Sequence, residues 1–476
     1  MTRLSAGLLA ILFVGCGGGV TNAPPDAGAG DAGFDAGVET RDAGPITEPD
    51  AGEPQPDAGP GPVVRGAAQV FRALPTVVLL DTARPADGVC GTFTSLSGSQ
   101  RRLRIDVDDC PGVPAEARGL VGSLTVDTTS TETLEVRLEA SDAAFPSAPH
   151  VVGPLQTNTH GFLTQLGADR AFIIEVPGTA TVDVRVELTA VLVPEIAGGD
   201  YVHLLPQPVR WLATNPNDDG FRDIWTTLDQ VLRYPVVGAA EGATAMFGAV
   251  HLGPHVWRSE RVAFHLGAAD PSATSHTLPR WSSVPVDGHF PWRYSSFFLA
   301  PAGVNAQVEV RGSAAVDPFD TGLEPWVDAV GYLSPNRGLV YRPLSRPLVA
   351  PSGVHHNDED VTYSTGLTDV EGVTGTLSFE LPDWPYEERN RWFFVHVARD
   401  ATAFPGALGG GLEGPDWMTA GLNQNGRVTV RFTSRVTSNG QFVMRHYSYV
   451  AGGSAVSPAF HAVTVQVRID GLLTIN

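Results

Sequence analysis

The chain has 476 residues, enough for two to four domains, and 42% of them are hydrophobic, enough to pack cores. Its net charge of −21, with all 31 basic residues Arg and no Lys, argues against nucleic acid and against a basic grip on anionic lipid. The absence of Lys also excludes Walker-type phosphate binding and lysine nucleophiles. High Gly (53) and Pro (38) point to many turns and few long helices.

The N-terminus reads as an export signal. Arg3 precedes the apolar run Leu8–Val14, which is far shorter than the roughly 20 residues a membrane-spanning helix needs. Val14-Gly15-Cys16 follows and resembles the lipobox of bacterial lipoprotein signal peptides, with Phe13 where Leu is usual. The resemblance implies cleavage after residue 15, a diacylglycerol thioether on Cys16 and acylation of the freed amine. Two or three acyl chains hold a protein firmly where one does not. Gly17, rather than Asp, follows Cys16, so by the enteric sorting rule the lipid would go to the outer membrane.

Residues 16–62 form an acidic linker. Asp-Ala-Gly recurs from Asp26, Asp31, Asp35, Asp42, Asp50 and Asp57, interleaved with Pro. No apolar period is present, so the expectation is a disordered spacer, with a reach of roughly 35–40 Å. The Asp repeats lack the clustered oxygens and closing bidentate carboxylate of a calcium loop.

After Pro62 the period changes to two. Thr181–Leu188, Val308–Arg311 and Val463–Ile469 alternate apolar and polar residues, the pattern of half-buried strands. The expected fold class is all-β: three tandem sandwich-like, jelly-roll-like domains over 63–196, 197–336 and 337–476. The division rests on strands recurring in order. Val121-Gly122-Ser123-Leu124 has counterparts at Phe247-Gly248-Ala249-Val250 and Thr374-Gly375-Thr376-Leu377, with the glycines 126 and 127 residues apart. Leu79-Leu80-Asp81-Thr82 matches Trp211-Leu212-Ala213-Thr214 and Pro347-Leu348-Val349-Ala350. Phe172-Ile173-Ile174 is matched to Phe297-Phe298-Leu299, and Phe145-Pro146-Ser147-Ala148 to Phe404-Pro405-Gly406-Ala407. A glycine repeated within a strand points to a bulge or a close backbone contact.

Cys90 and Cys110 are left as an even pair in an oxidising compartment and are expected to form a disulfide; two buried thiols are the alternative. Closing such a loop contributes roughly 3 kcal/mol.

Pro75–Arg84, containing Leu79-Leu80-Asp81-Thr82-Ala83-Arg84, resembles the Pro-Thr-Arg-Leu-Leu-Asp-Thr-Arg opening of repeat modules in secreted actinobacterial surface proteins. Val113-Pro114-Ala115 is similar to the segment that follows in that family. Trp326–Leu333 is similar to its closing Val-Asp-Val-Val-Gly-Tyr-Phe run, although here it closes the second unit. The resemblance implies adhesion or substrate targeting and brings no catalytic residues with it.

Chemistry-bearing patterns are few. No His-Glu-x-x-His or Gly-x-Ser-x-Gly run occurs, and no cofactor motif is present. Gly409-Gly410-Gly411 reads as a loop. His355-His356-Asn357-Asp358-Glu359-Asp360 could turn His355, Asn357 and Glu359 to one side as metal ligands, but reads first as a solvated loop. Trp211, Trp225, Trp257, Trp281, Trp292 and Trp326 fall in the second unit, and Trp384, Trp392 and Trp417 in the third. They either fill cores or stack on sugar rings from Pro-containing loops such as His289–Tyr294 and Asp383–Tyr386.

The functional expectation is a non-enzymatic, exported, lipid-anchored envelope protein that takes part in adhesion or binds envelope glycan. A secreted hydrolase with its site in the second or third unit, and a structural component that contacts other proteins, are the alternatives. The expected partners are a membrane, through lipid, and a cell-wall or surface glycan or an envelope protein.

Overall fold

The computed structural model describes residues 64–476, except 153–156, 214–220, 223–230, 255–261, 271–277, 285–293, 315–322, 357–358, 381–390, 402–417, 422–426 and 451–462. Cys16, the linker and Gly409–Gly411 therefore lie outside the described residues. Residues 62–476 form one compact body of strands, antiparallel except for the short pairing of Phe221–Arg222 with Leu212–Ala213, and short 3-10 turns.

The strands fall into three sets with one topology. The first set contains β1 (Gln69–Asp81), β2 (Arg102–Asp106), β3 (Gly119–Thr128), β4 (Leu134–Ala140), β5 (His150–Val152), β6 (Thr157–Gln165), β7 (Ala171–Glu175) and β8 (Val182–Pro194). One sheet runs β1-β8-β3-β6 and the facing sheet β2-β7-β4-β5. This is the strand order of an eight-stranded jelly roll.

The second set starts with β9 (Tyr201–Ala213), followed by a short β10 (Phe221–Arg222). Its other strands are β11 (Val231–Pro235), β12 (Ala245–Pro254), β13 (Val262–Ala268), β14 (Arg280–Val284), β15 (Tyr294–Pro301), β16 (Gln307–Ala314) and β17 (Leu323–Ser334). It gives β9-β17-β12-β15 and β11-β16-β13-β14. The third set starts with β18 (Leu339–Val349) and a short β19 (Gly353–His355). It continues with β20 (Val361–Ser364), β21 (Gly372–Glu380), β22 (Arg391–Ala398), β23 (Met418–Gly421), β24 (Arg427–Arg435), β25 (Gln441–Val450) and β26 (Val463–Ile475). The order repeats once more, as β18-β26-β21-β24 and β20-β25-β22-β23.

The opening strands of the three sets meet in a ring. Phe71 of β1 bridges Asp200, just ahead of β9. Val202 of β9 pairs with Leu339 of β18, and Tyr341 of β18 pairs with Gln69 of β1. In each case one residue, and the residue two places before it, pair with the other two sets. The closed cycle has the pairing of a threefold arrangement. It joins the three inner sheets into one fourteen-stranded sheet and covers strand starts that would otherwise be open edges.

The repeated glycine marks a bulge. Opposite Gly122 the pairing skips Thr189 of β8; opposite Gly248 it skips Val330 of β17; opposite Gly375 it skips Asp470 of β26. A Cβ at these glycines would lie 1.9, 1.9 and 2.1 Å from the carbonyl oxygens of Glu187, Asp328 and Arg468. Only glycine lets the two backbones approach so closely.

The bulge also changes which side of the strand is apolar. Before it, Val182, Val184, Val186 and Leu188 of β8 fill the first jelly roll's own core. After it, Val191 and Val193 continue that core while Ala190 and Leu192 turn to a second cluster that runs through all three sets. One extra residue thus makes β8 two-faced, and the outer face of the first inner sheet becomes an internal surface.

The matched segments sort differently by position. Asp81, Ala213 and Val349 each end the opening strand of their set, as the alignment expects. Phe172–Ile174 lies in β7 and Phe297–Leu299 in β15, which are not equivalent strands; the counterpart of β15 is β6. That match came from two apolar triplets of the same length. Phe404–Ala407 lies outside the described residues.

A candidate site where the three sets converge

Cys90 and Cys110 form a disulfide. It closes the segment between β1 and the turn after β2, with Cys110 in the first core and Cys90 packed against it.

The Leu79–Arg84 motif has a structural job. Asp81 Oδ1 accepts the backbone N–H groups of Ala83 (3.1 Å) and Arg84 (2.9 Å), turning the chain at the strand end. Its Oδ2 pairs with Arg185 at 2.7 Å, and Thr82 Oγ1 accepts the Val184 N–H at 2.9 Å. Arg185 also holds Glu187 at 2.9 Å, and Glu187 accepts the Arg280 backbone N–H of β14 at 2.9 Å. This partly buried chain of charge-assisted bonds ties the first set to the second. At the corresponding place in β17, Asp328 is fully buried between Arg210 (2.5 Å) and His251 (3.2 Å), with the Arg210 guanidinium 5.5 Å from the Trp326 ring.

The described residues of the loop 355–360 do not converge as ligands. His355 is turned inward, stacked on Tyr363 and bonded to its hydroxyl at 2.9 Å. Glu359 accepts the His356 backbone N–H at 2.9 Å, closing the loop on itself, while Asp360 pairs with Arg445. Asn357 and Asp358 lie outside the described residues. Among the described residues no three His, Cys, Asp or Glu side chains converge as a metal set, and no helix is long and apolar enough to cross a membrane.

Trp211, Trp281 and Trp326 are buried, so these three fill cores. Trp211 and Trp281 donate their indole N–H to the Pro235 and Leu266 carbonyls. Trp225, Trp257, Trp292, Trp384 and Trp417 lie outside the described residues, as do most of the two Pro-containing loops; Trp392 lies in β22.

Sequence reasoning missed a cavity that strands distant in the chain build. It measures about 390 Å³, within the range of small-molecule sites. The β6 segment and the β4–β5 connection form one wall. Tyr341–Pro347 of β18, with Arg431 of β24 and Arg468 and Asp470 of β26, form the other. Ser296 and Phe297 of β15 close the end. Gly161 permits this meeting: its N–H donates to Ser296 Oγ at 2.7 Å, and a Cβ there would lie 1.8 Å from the Phe297 carbonyl oxygen.

The cavity's charges are arranged unevenly. Arg431 donates to both oxygens of Asp470, at 2.8 and 3.1 Å, and to Thr374 Oγ1 at 3.4 Å. Its Nε is buried without a hydrogen-bond partner. Arg468 lies beside this pair; burial lowers its pKa, and Asp470 and Glu139 work against that shift. Glu139 and Asp142 are engaged by the backbone N–H groups of Ser147 (3.0 Å) and Ala168 (2.9 Å). His150 and His160 stand with ring centroids 5.2 Å apart. Burial, and for His150 also the neighbouring His160, pushes both down, His160 to about 4, so both are neutral at pH 7. The Nε2 of His160 is also buried without a partner. Burial beside Asp470 raises the Tyr341 hydroxyl, which stays protonated.

These features define an all-β jelly-roll protein with a cavity of mixed apolar and polar lining at the junction of its three strand sets. No family model matches the chain, and no curated protein matches it. Among solved structures it is similar to one described as the triple jelly roll fold and turret assembly in an archaeal virus, at 10% identity over 86% of this chain and 91% of that one, with a TM-score of 0.18. A second, from infectious bursal disease virus strain Gx, has 9% identity over 75% and 80% of the two chains and a TM-score of 0.14. The jelly-roll assignment rests on the strand order and bulges described above.

Proposed function

We propose that the chain is a lipid-anchored cell-envelope protein that binds an envelope or surface glycan without catalysis. Cys16 carries the lipid, and the acidic linker 17–62 is the spacer. Three repeated modules, over 63–196, 197–336 and 337–476, form the binding body. The resemblance of Pro75–Arg84 to the opening of secreted surface modules supports a role in adhesion.

The observation that carries the reading is the junction cavity. Closing the three opening strands into a ring fixes its walls relative to one another, so its polar groups are held before any ligand arrives. Hydroxyls, imidazoles and guanidiniums beside apolar rings suit a polyhydroxylated ligand.

Incubating the purified chain with peptidoglycan sacculi and with a glycan array tests this. Retention of the intact chain on at least one glycan, with no fragments released, is expected. Retention on none, or release of cleaved product, would overturn the reading.

A further inference from the structure

The seam between the third and first sets differs from the other two in how the chain crosses it. Counted back from the ring residues Gln69, Asp200 and Leu339, residues 64–66 correspond to 195–197 and 334–336. The latter two belong to the covalent connections from the first set to the second and from the second to the third. The first set follows no other set, so residues 64–66 lie against the third set without a chain link to it.

Backbone pairing takes the place of that link. The Gly66 N–H donates to the Pro343 carbonyl at 2.7 Å, the Ser345 N–H donates to the Val64 carbonyl at 3.1 Å, and Arg65 bridges Leu344 between them. The contact falls where β18 leaves β26, because their pairing passes from Pro343–Gly471 directly to Leu348–Ile469. The three residues thus supply backbone partners that β26 does not. Outside this pairing the Arg65 guanidinium forks onto both oxygens of Asp369. The two side chains are 25% and 65% exposed, so the ion pair is screened by water and holds weakly.

Val64, Arg65 and Gly66 also line the junction cavity. A short stretch held by few backbone bonds and an exposed ion pair is among the first parts of a fold to open. The ring pairs Gln69–Tyr341, Phe71–Asp200 and Val202–Leu339 do not involve it. Residue 63 joins it to the linker, so tension in the linker is applied there first.

We propose that Val64–Gly66 is a releasable strap across the mouth of the junction cavity, latched by Arg65 on Asp369. When it lifts, the ring stays closed and the mouth widens. The strap controls access and does so whatever the cavity binds.

Thiol labelling of the full chain tests this. In a Cys16→Ser, Thr429→Cys background the cavity-lining position 429 carries the sole free thiol, since Cys90 and Cys110 are joined. A Cβ at Gly66 would lie 2.6 Å from Pro343 Cγ, so adding Gly66→Ala should push the strap off. Maleimide labelling should then be about tenfold faster or more. Adding Asp369→Asn instead should speed it about two- to fivefold, the effect of one exposed ion pair. Arg65→Asp combined with Asp369→Arg should restore the parent rate. The Ser345 amide should exchange hydrogen faster in the same order, while the Phe71 amide, bonded to the Asp200 carbonyl, keeps its protection. Faster Ser345 exchange with unchanged labelling would overturn the proposal, because the strap would lift without opening the cavity. Loss of protection at Phe71 would overturn it as well, since the ring would then open with the strap. So would Ser345 exchange that neither variant changes.

Discussion

A methyl group added at Gly122, Gly248 or Gly375 has nowhere to go, because the obstacle is a backbone carbonyl that cannot swing aside. Gly248→Ala should destabilise the protein by about 2–4 kcal/mol, the range of severe overpacking and strain. At Gly353 the nearest contact to an added Cβ is 3.5 Å, so Gly353→Ala should cost well under about 1 kcal/mol. Urea denaturation of the two variants makes the comparison; equal losses would contradict the bulge account. Removing the disulfide by Cys90→Ser with Cys110→Ser should lower stability by about 3 kcal/mol, read in the same way. These residues were legible in the sequence because their signals are local. Three glycines at matched places in three strands, and two cysteines left as a pair, need no knowledge of what lies across the fold. His150, His160 and Arg468 gave no such signal, since each gains its meaning only from a neighbour far along the chain. The segment His355–Asp360 shows the opposite case: ligand-type residues close in sequence are spent on Tyr363, a backbone N–H and Arg445.

At the scale of the element, the informative strand is β8. Its alternation is plain in the sequence up to Leu188, then shifts by one residue. That shift is the bulge, which lets one strand serve two cores. Read as simple alternation, the segment shows a half-buried strand with one wet face. That face of the sheet is in fact covered by β14 and β15 of the second set, through Glu187 of β8 with Arg280 and Gly161 of β6 with Ser296. Gly161→Ala should therefore destabilise the protein by about 2–4 kcal/mol, although it touches neither jelly roll's own interior. Loss below about 0.5 kcal/mol in urea denaturation would mean that the two strands do not meet as described. The erroneous match of Phe172–Ile174 to Phe297–Leu299 has a related cause. Short apolar runs look alike whether they come from the inner or the facing sheet, and only hydrogen-bond order tells them apart.

For the whole molecule, the all-β class and the repeating strand pattern were open to sequence reasoning; the ring of opening strands and the cavity were not. Ring closure depends on single residue pairs at strand starts, which leave no periodic trace. The ring and the shared core predict that residues 62–476 melt together in calorimetry rather than in three resolved steps. Acid should weaken the body in a defined window. His160 and His265 fall from 6.5 to about 4 in the folded state, chiefly through burial, and His265 Nδ1 donates to the Leu278 carbonyl oxygen at 3.0 Å. A depressed histidine pKa means the unfolded chain binds more protons between those two values. Their contribution is therefore complete above about pH 6.5 and is lost progressively as the pH falls towards 4. The melting temperature should drop across that window, and His265→Gln should flatten the slope. A slope unchanged by the substitution would assign the acid sensitivity elsewhere.

The anchored presentation of this body is the claim on which its envelope role depends, and it is tested most directly at Cys16. Cells labelled with radioactive palmitate and then fractionated should yield the chain in the membrane fraction, with label incorporated and a mature N-terminus at Cys16. The Cys16→Ser variant should be unlabelled. Equal incorporation in Cys16→Ser, or an unlabelled wild-type chain in the soluble fraction, would contradict the account.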